Sequence, residues 1–147
     1  MVQLGSRQDY NKFLGNRELL EAHECPFCIA EEHQDMIIWE GKYWMMIYNK
    51  YPYTGNDQHI MAVPRDHKEF FIEFTEEEVA ELKQVHAEVK KFFWDKTYFS
   101  FCRETHGTVT KSIKHYHMQF IGAELEGKYL RKMLHKQGFP IDQDMEF

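Results

Sequence analysis

The chain has 147 residues, 43% of them hydrophobic and 16% aromatic, and a formal net charge of −6 with histidine neutral. That length reads as one domain, residues 1–147, with a genuine core, and the aromatic content excludes a disordered chain. The acidic balance excludes a broad basic nucleic-acid surface, but it leaves room for a small phosphorylated ligand held by backbone amides and a few side chains.

In chain order, the opening "MVQLGSRQDYNKF" is polar and lacks the apolar segment of a signal peptide. No apolar run approaches the ~18 residues of a membrane span. The expectation is a cytoplasmic protein with reduced thiols. Residues 1–24 are polar and mixed, with a short helix expected around "NRELLEAH"; "CPFC" follows at 25–28. "DMIIWEGKYWMMIYN" reads as two β-rich runs around Glu40-Gly41-Lys42, a hairpin signal. "HIMAVPR" is a further strand, ended by Pro64.

The clearest helix comes next. Thr75 stands at an N-cap position with Glu78 three residues on, which is a capping box. Val79, Leu82, Val85, Val89 and Phe92/Phe93 recur at spacings of three or four and make one apolar face. "KTYFSFCRE" and "SIKHYHMQFIG" read as strands, and "ELEGKYLRKMLHKQG" as a C-terminal helix despite Gly127. No repeat, low-complexity tract or linker interrupts the order. The pattern predicts an α+β domain with a mostly antiparallel sheet.

Within "SIKHYHMQF", His115, His117 and Gln119 fall at every second position. In a strand they share one face, roughly 6.5–7 Å apart, while Tyr116, Met118 and Phe120 face the core. Histidines so placed bind a metal, act as a base or attack as a nucleophile. "CPFC" presents two thiols to one tetrahedral ion, with His67 and one of His115 or His117 as candidate partners. A redox pair and two structural cysteines are the other readings, although a redox pair belongs at the start of a helix after a strand. A Cys₂His₂ set leaves zinc no open position, so such an ion holds the fold rather than doing chemistry.

Three segments together resemble the histidine-triad (HIT) superfamily. "HYHMQF" is similar to its His-x-His-x-His/Gln signature. "NKYPYTGNDQHIMAVPRDH" is similar to its upstream block, and "CPFC" to the Cys-x-Phe-Cys of zinc-carrying members. They occur in family order across residues 25–121. The resemblance implies a HIT-like fold: a five- to six-stranded sheet, one long helix and a C-terminal helix. It implies a nucleotide-binding enzyme in which His117 attacks the α-phosphorus and forms a nucleotidyl-histidine. It implies a structural zinc on Cys25, Cys28, His67 and His115. Ser112 matches a residue that hydrogen-bonds the phosphate, and Asn49 one that holds the ribose. His59 matches a pocket residue that supports the triad, and Phe27, Ile47 and Tyr48 fall at base-packing positions. The small members are usually dimers, so a homodimer is expected.

This sequence departs from the commonest pattern in three places. The third triad position is Gln119, which cannot protonate a leaving group but can donate an N–H to a phosphate oxygen. His-x-His-x-Gln resembles the uridylyltransferase and dinucleoside-tetraphosphate phosphorylase branch, so transfer or phosphorolysis is favoured over hydrolysis. The turn "TGNDQ" is longer than usual. Thirteen residues before His117, where an Asn near the phosphates is common, the ungapped count gives Glu104. Two other function classes stand beside the enzyme: a non-catalytic nucleotide-binding module, and a scaffold whose histidines and cysteines serve zinc alone. Among the remaining residues, His23 is a weaker zinc candidate. His33, His86, His106 and His135 receive no role, and Cys102 is expected to be buried and inert.

Overall fold

The computed structural model describes residues 4–6, 8, 25–28, 33–104, 115–122 and 127–136. The helix expected around "NRELLEAH", Ser112, His23 and His106 lie outside them. Strands β1 (Ile37–Glu40), β2 (Trp44–Tyr48) and β3 (His59–Pro64) precede helix α1 (Glu76–Phe93). Strands β4 (Phe99–Cys102) and β5 (Met118–Ile121) and helix α2 (Gly127–Lys136) follow. The five strands form one antiparallel sheet in the order β1-β2-β3-β5-β4. This is the expected α+β architecture, and no described helix is long and apolar enough to cross a membrane.

Alternation along the strands sorts side chains onto two faces. Trp44, Met46, Ile60, Ala62 and Phe120 pack with Tyr116 against Val85, Val89 and Phe93 of α1. Met45, Ile47, Met61 and Val63 face the other way and pack with Cys25, Phe27 and Met36. The helix thus covers one side of the sheet and leaves the other to the "CPFC" turn. Burial of each large apolar side chain contributes roughly 1.5–3 kcal/mol.

Strand β5 is shorter than its sequence suggests. Its ladder with β3 runs only from the Ala62–Met118 pair to the His59–Ile121 pair. Beyond it, the Tyr116 amide donates to the Lys68 carbonyl at 2.6 Å rather than to a neighbouring strand. The Pro64 carbonyl accepts from the His115 ring at 2.8 Å. His115 to His117 therefore enter the strand outside the ladder, with a bend at His115.

The capping box forms as expected. Thr75 Oγ1 accepts from the Glu78 amide at 3.2 Å, and the Glu78 carboxylate accepts from the Thr75 amide at 3.0 Å. Glu78, not Val79, takes the buried position: Val79 is 38% exposed and Glu78 3%. The reason is electrostatic, because Lys68 Nζ pairs with the Glu78 carboxylate. One turn on, the Glu81 carboxylate accepts from the amides of Lys42, Tyr43 and Trp44 at 2.7–2.8 Å. This clamps the β1–β2 turn to the helix. A Cβ at Gly41 would stand 2.5 Å from Trp39 and 2.8 Å from Glu81, so only glycine permits the approach.

Burial of Glu78 favours its neutral form, but the bonds from Lys68 and Thr75 outweigh burial and hold the carboxyl below its ordinary value of 4.5. A lowered folded value means that the stabilisation is present above the ordinary value and is lost as pH falls through the folded one. Glu78→Gln should cost about 1–3 kcal/mol at neutral pH. In urea melts across the acid range, its deficit against wild type should shrink as pH falls below the ordinary carboxylate value.

Candidate active site and metal centre

Cys25, Cys28, His67 and His115 each turn a ligand atom toward one point, and those atoms all lie within 4.8 Å of one another. The tight turn at 25–28 is closed by the Cys28 amide donating to the Cys25 carbonyl at 3.0 Å. It is braced by His33, whose Nδ1–H donates to the Pro26 carbonyl at 3.2 Å. His67 follows β3, and His115 precedes β5. Because a carbonyl only accepts, the bond to Pro64 places the His115 proton on Nε2. Its bare Nδ1 faces Cys25 Sγ at 3.5 Å, Cys28 Sγ at 3.4 Å and His67 Nδ1 at 3.2 Å.

The donor set fits zinc. Bonds of about 2.0–2.3 Å from a tetrahedral zinc imply ligand–ligand edges of about 3.3–3.8 Å, close to the spacings here. Electron-pair donors crowded on one point repel unless a cation lies among them. Burial pushes the Cys25 thiol up to about 11 and the His115 imidazole down to about 4. The histidine is thus neutral and ready to ligate, while the thiol needs a cation to ionise it.

His117 takes the opposite tautomer. Its Nδ1–H donates to the His115 carbonyl at 2.7 Å, which leaves Nε2 with a lone pair. Burial chiefly lowers its proton affinity; the bond to His115 opposes this, and the charge of Arg103 adds to the lowering. The Phe27 ring lies 5.6 Å from that of His115 and 5.5 Å from that of His117, so it touches both.

Gln119 is held by a buried network. The Tyr53 amide donates to His59 Nδ1 at 3.0 Å, so the His59 proton sits on Nε2. That N–H donates to Gln119 Oε1 at 2.5 Å. Asn49 Nδ2 donates to the same oxygen at 3.4 Å, while Asn49 Oδ1 accepts from the Tyr51 amide at 2.8 Å. The Gln119 carbonyl is therefore committed inward, and what the carboxamide can offer a ligand is its N–H group. His59 is fully buried and Gln119 8% exposed, so the orientation is held where water does not compete.

The remaining sequence candidates separate by face. Ile47 is buried in the cluster with Phe27 on the His117 side. The Tyr48 ring instead lies edge-on to Phe92 of α1, with centroids 5.9 Å apart. Asn49 has both ends of its carboxamide engaged, as above. The Glu104 carboxylate accepts from the Phe71 amide at 2.6 Å, and the Phe71 ring packs near Tyr116 on the helix side. Cys102 is exposed rather than buried: β4 is the edge strand, and Ser100 and Cys102, although on the helix face, are left exposed there. His33, given no role by the sequence, is buried against the "CPFC" turn; its position before an apolar run carried no signal of this.

No family model matches the sequence, and no curated protein matches it. Solved structures do match. A zinc-bound histidine-triad protein from Mycobacterium smegmatis is 14% identical with a TM-score of 0.56, over 71% of this chain and 78% of that one. A histidine-triad protein from Clostridium difficile is 20% identical with a TM-score of 0.51, over 71% and 95%. The fold is that of the histidine-triad proteins. A uridylyltransferase also matches, 18% identical with a TM-score of 0.56, over 80% of this chain but 37% of its own length. The histidine-triad likeness is one of fold.

If the four donors share a zinc, the purified protein should carry one zinc per chain by elemental analysis. Cys28→Ser should lower that content and the thermal midpoint together. Two zinc ions per chain would instead put His117 on metal.

Proposed function

We propose that the chain is a nucleotide-binding enzyme that transfers a nucleotidyl group through a covalent nucleotidyl-histidine on His117. The observation that carries this reading is the His117 tautomer. A proton fixed on Nδ1 by the His115 carbonyl leaves Nε2 as a neutral nucleophile. In the first step Nε2 attacks the α-phosphorus, a P–N bond forms, and the P–O bond to the leaving group breaks with its electron pair. In the second step an acceptor oxygen attacks the phosphorus, and imidazole departs with the P–N pair. Each displacement is easier than the direct one because imidazole is a good nucleophile and a good leaving group.

Gln119 favours transfer to or from a phosphate. With its carbonyl tied to His59 and Asn49, it donates an N–H toward the charge that builds on phosphorus. It has no proton to give a leaving oxygen. A leaving group that is itself a phosphate needs none, so a nucleoside polyphosphate or a nucleotide sugar suits the site. Phosphorolysis or transfer is therefore favoured over hydrolysis. Phe27, whose ring touches that of His117, is the apolar side chain nearest the nucleophile for packing a base, with Ile47 buried behind it, and Asn49 lies at the edge of the same site. Ser112 joins the phosphate site by its sequence match alone. Cys25, Cys28, His67 and His115 would hold a zinc that restrains the strand entry and supplies no reacting group.

Glu104, whose carboxylate near phosphates would argue for a module that binds without catalysis, is instead engaged by the Phe71 amide. Incubation with dinucleoside polyphosphates, nucleotide sugars and adenylylated amines should yield an acid-labile nucleotidyl adduct by intact mass. His117→Ala should abolish it with zinc content unchanged. Absence of adduct and turnover across that panel would sink the enzymatic reading. Turnover that rises steeply with inorganic phosphate selects phosphorolysis; equal rates without phosphate select hydrolysis. Gln119→Glu sets a carboxylate where the N–H donor stood, and should slow adduct formation by about a hundredfold or more in single-turnover assays.

A further inference from the structure

The register of the sheet brings a cation beside the proposed nucleophile. Strands β4 and β5 pair Phe101 with Gln119 and Cys102 with Met118. Carried one residue beyond the Cys102–Met118 pair at which the ladder ends, the same register would set Arg103 opposite His117. Directly opposed residues of an antiparallel pair share a face, with Cβ atoms about 4.5–5.5 Å apart. An independent contact agrees. Glu104 is tied to the Phe71 amide, and Phe71 packs by Tyr116, on the helix side of the sheet. Alternation then turns Arg103 to the opposite side, where His117 and Gln119 lie.

We propose that Arg103 is a phosphate-binding catalytic residue, its guanidinium donating to the oxygens of the phosphoryl group that His117 attacks. The inference rests on the nucleotidyl-transfer reading and deepens it. A guanidinium offers paired N–H donors that match two phosphate oxygens, and it keeps its charge at every working pH. It loses no proton in the reaction. It neutralises charge on the equatorial oxygens while the P–N bond forms and the P–O bond breaks. Gln119 donates to the same group, so His117 would attack between a neutral donor and a charged one. The pair makes a site for an anion on a chain whose net charge is −6.

Two measurements on the full chain test this. The first is binding of the four common nucleosides and their 5′-monophosphates by calorimetry, with wild type and Arg103→Gln. The monophosphate should bind wild type more tightly than its nucleoside, and Arg103→Gln should cut that increment about tenfold to a hundredfold. Nucleoside affinity, zinc content and thermal midpoint should stay level. The second is the single-turnover rate of adduct formation. Arg103→Ala should slow it by a similar or larger factor, with partial recovery in guanidinium chloride at low millimolar concentration and none in tetramethylammonium chloride. An unchanged phosphate increment, or a wild type that binds monophosphate no better than nucleoside, overturns the role of Arg103. So does a slow variant that guanidinium fails to restore. Loss of adduct on His117→Ala alongside an unchanged Arg103→Gln keeps the nucleotidyl-transfer reading and removes only this inference. Binding that depends on Arg103 in a protein that forms no adduct does the reverse.

Discussion

One peptide unit joins the two halves of the site. The His115 ring faces Cys25, Cys28 and His67, while its carbonyl takes the proton of the His117 ring at 2.7 Å. Adjacent same-face histidines are thereby held in opposite tautomers. His115 has its proton on Nε2, against Pro64, and its lone pair toward the sulfurs. His117 has its proton on Nδ1 and its lone pair toward the open site. Neither tautomer is an intrinsic preference of imidazole; each is set by the carbonyl that the ring meets. Any movement of residue 115 would disturb the ligand set and the direction of the His117 ring together. A cation at the four donors would hold the His117 side chain indirectly, by fixing the main chain from which it hangs.

The sheet makes this possible by giving its faces different work. On the helix side, apolar packing around Trp44, Val89 and Phe93 supplies stability, and Glu78 and Glu81 tie α1 to the loops that flank it. The opposite side can then carry polar groups. His59 and Gln119 are buried there, which would be costly if they were unpaired. They are paired, through Tyr53, Asn49 and each other. With the Gln119 carbonyl engaged by both His59 and Asn49, the carboxamide keeps a single orientation. An amide flip of Gln119 would set its N–H group against the His59 N–H, so the network determines which end of the carboxamide a ligand meets.

The parts legible in the sequence were those encoded locally. Thr75 and Glu78 announced the start of α1 because a capping box is a four-residue device. The alternation of Tyr116, Met118 and Phe120 announced their common face because period two is a property of extended chain. The Cys25, Cys28, His67 and His115 grouping rested on segment order and on a resemblance, and in the structure those side chains do converge. What stayed hidden depends on partners distant in the chain. Val79 fits the helical period as well as Glu78 does, yet Lys68 draws Glu78 inward. The length of β5 depends on where its pairing with β3 ends, at Ala62. Tyr48 follows the same parity as Trp44 and Met46, and so it meets Phe92 across the sheet.

The sharpest case is the pair Arg103 and Glu104. Counting back from His117 selects Glu104, and a carboxylate beside phosphates is an electrostatic contradiction. Counting assumes that the loop between β4 and β5 has the common length, whereas the strand register makes no such assumption. Pairing Cys102 with Met118, the last pair of the ladder, gives the parity that continued extension would carry into Arg103 and Glu104. A shift of one position then exchanges an anion for a cation beside His117. The contradiction disappears without any change in composition, because Glu104 spends its charge on a backbone amide on the far side. Local charge at such a site is a matter of strand parity, and the chain's net negative charge has little bearing on it. On the proposed reading, with Gln119 donating and no acid in the third triad position, the groups that face His117 would stabilise negative charge without protonating it. A chemistry that ends in an anionic leaving group is the one that such a site can complete unaided.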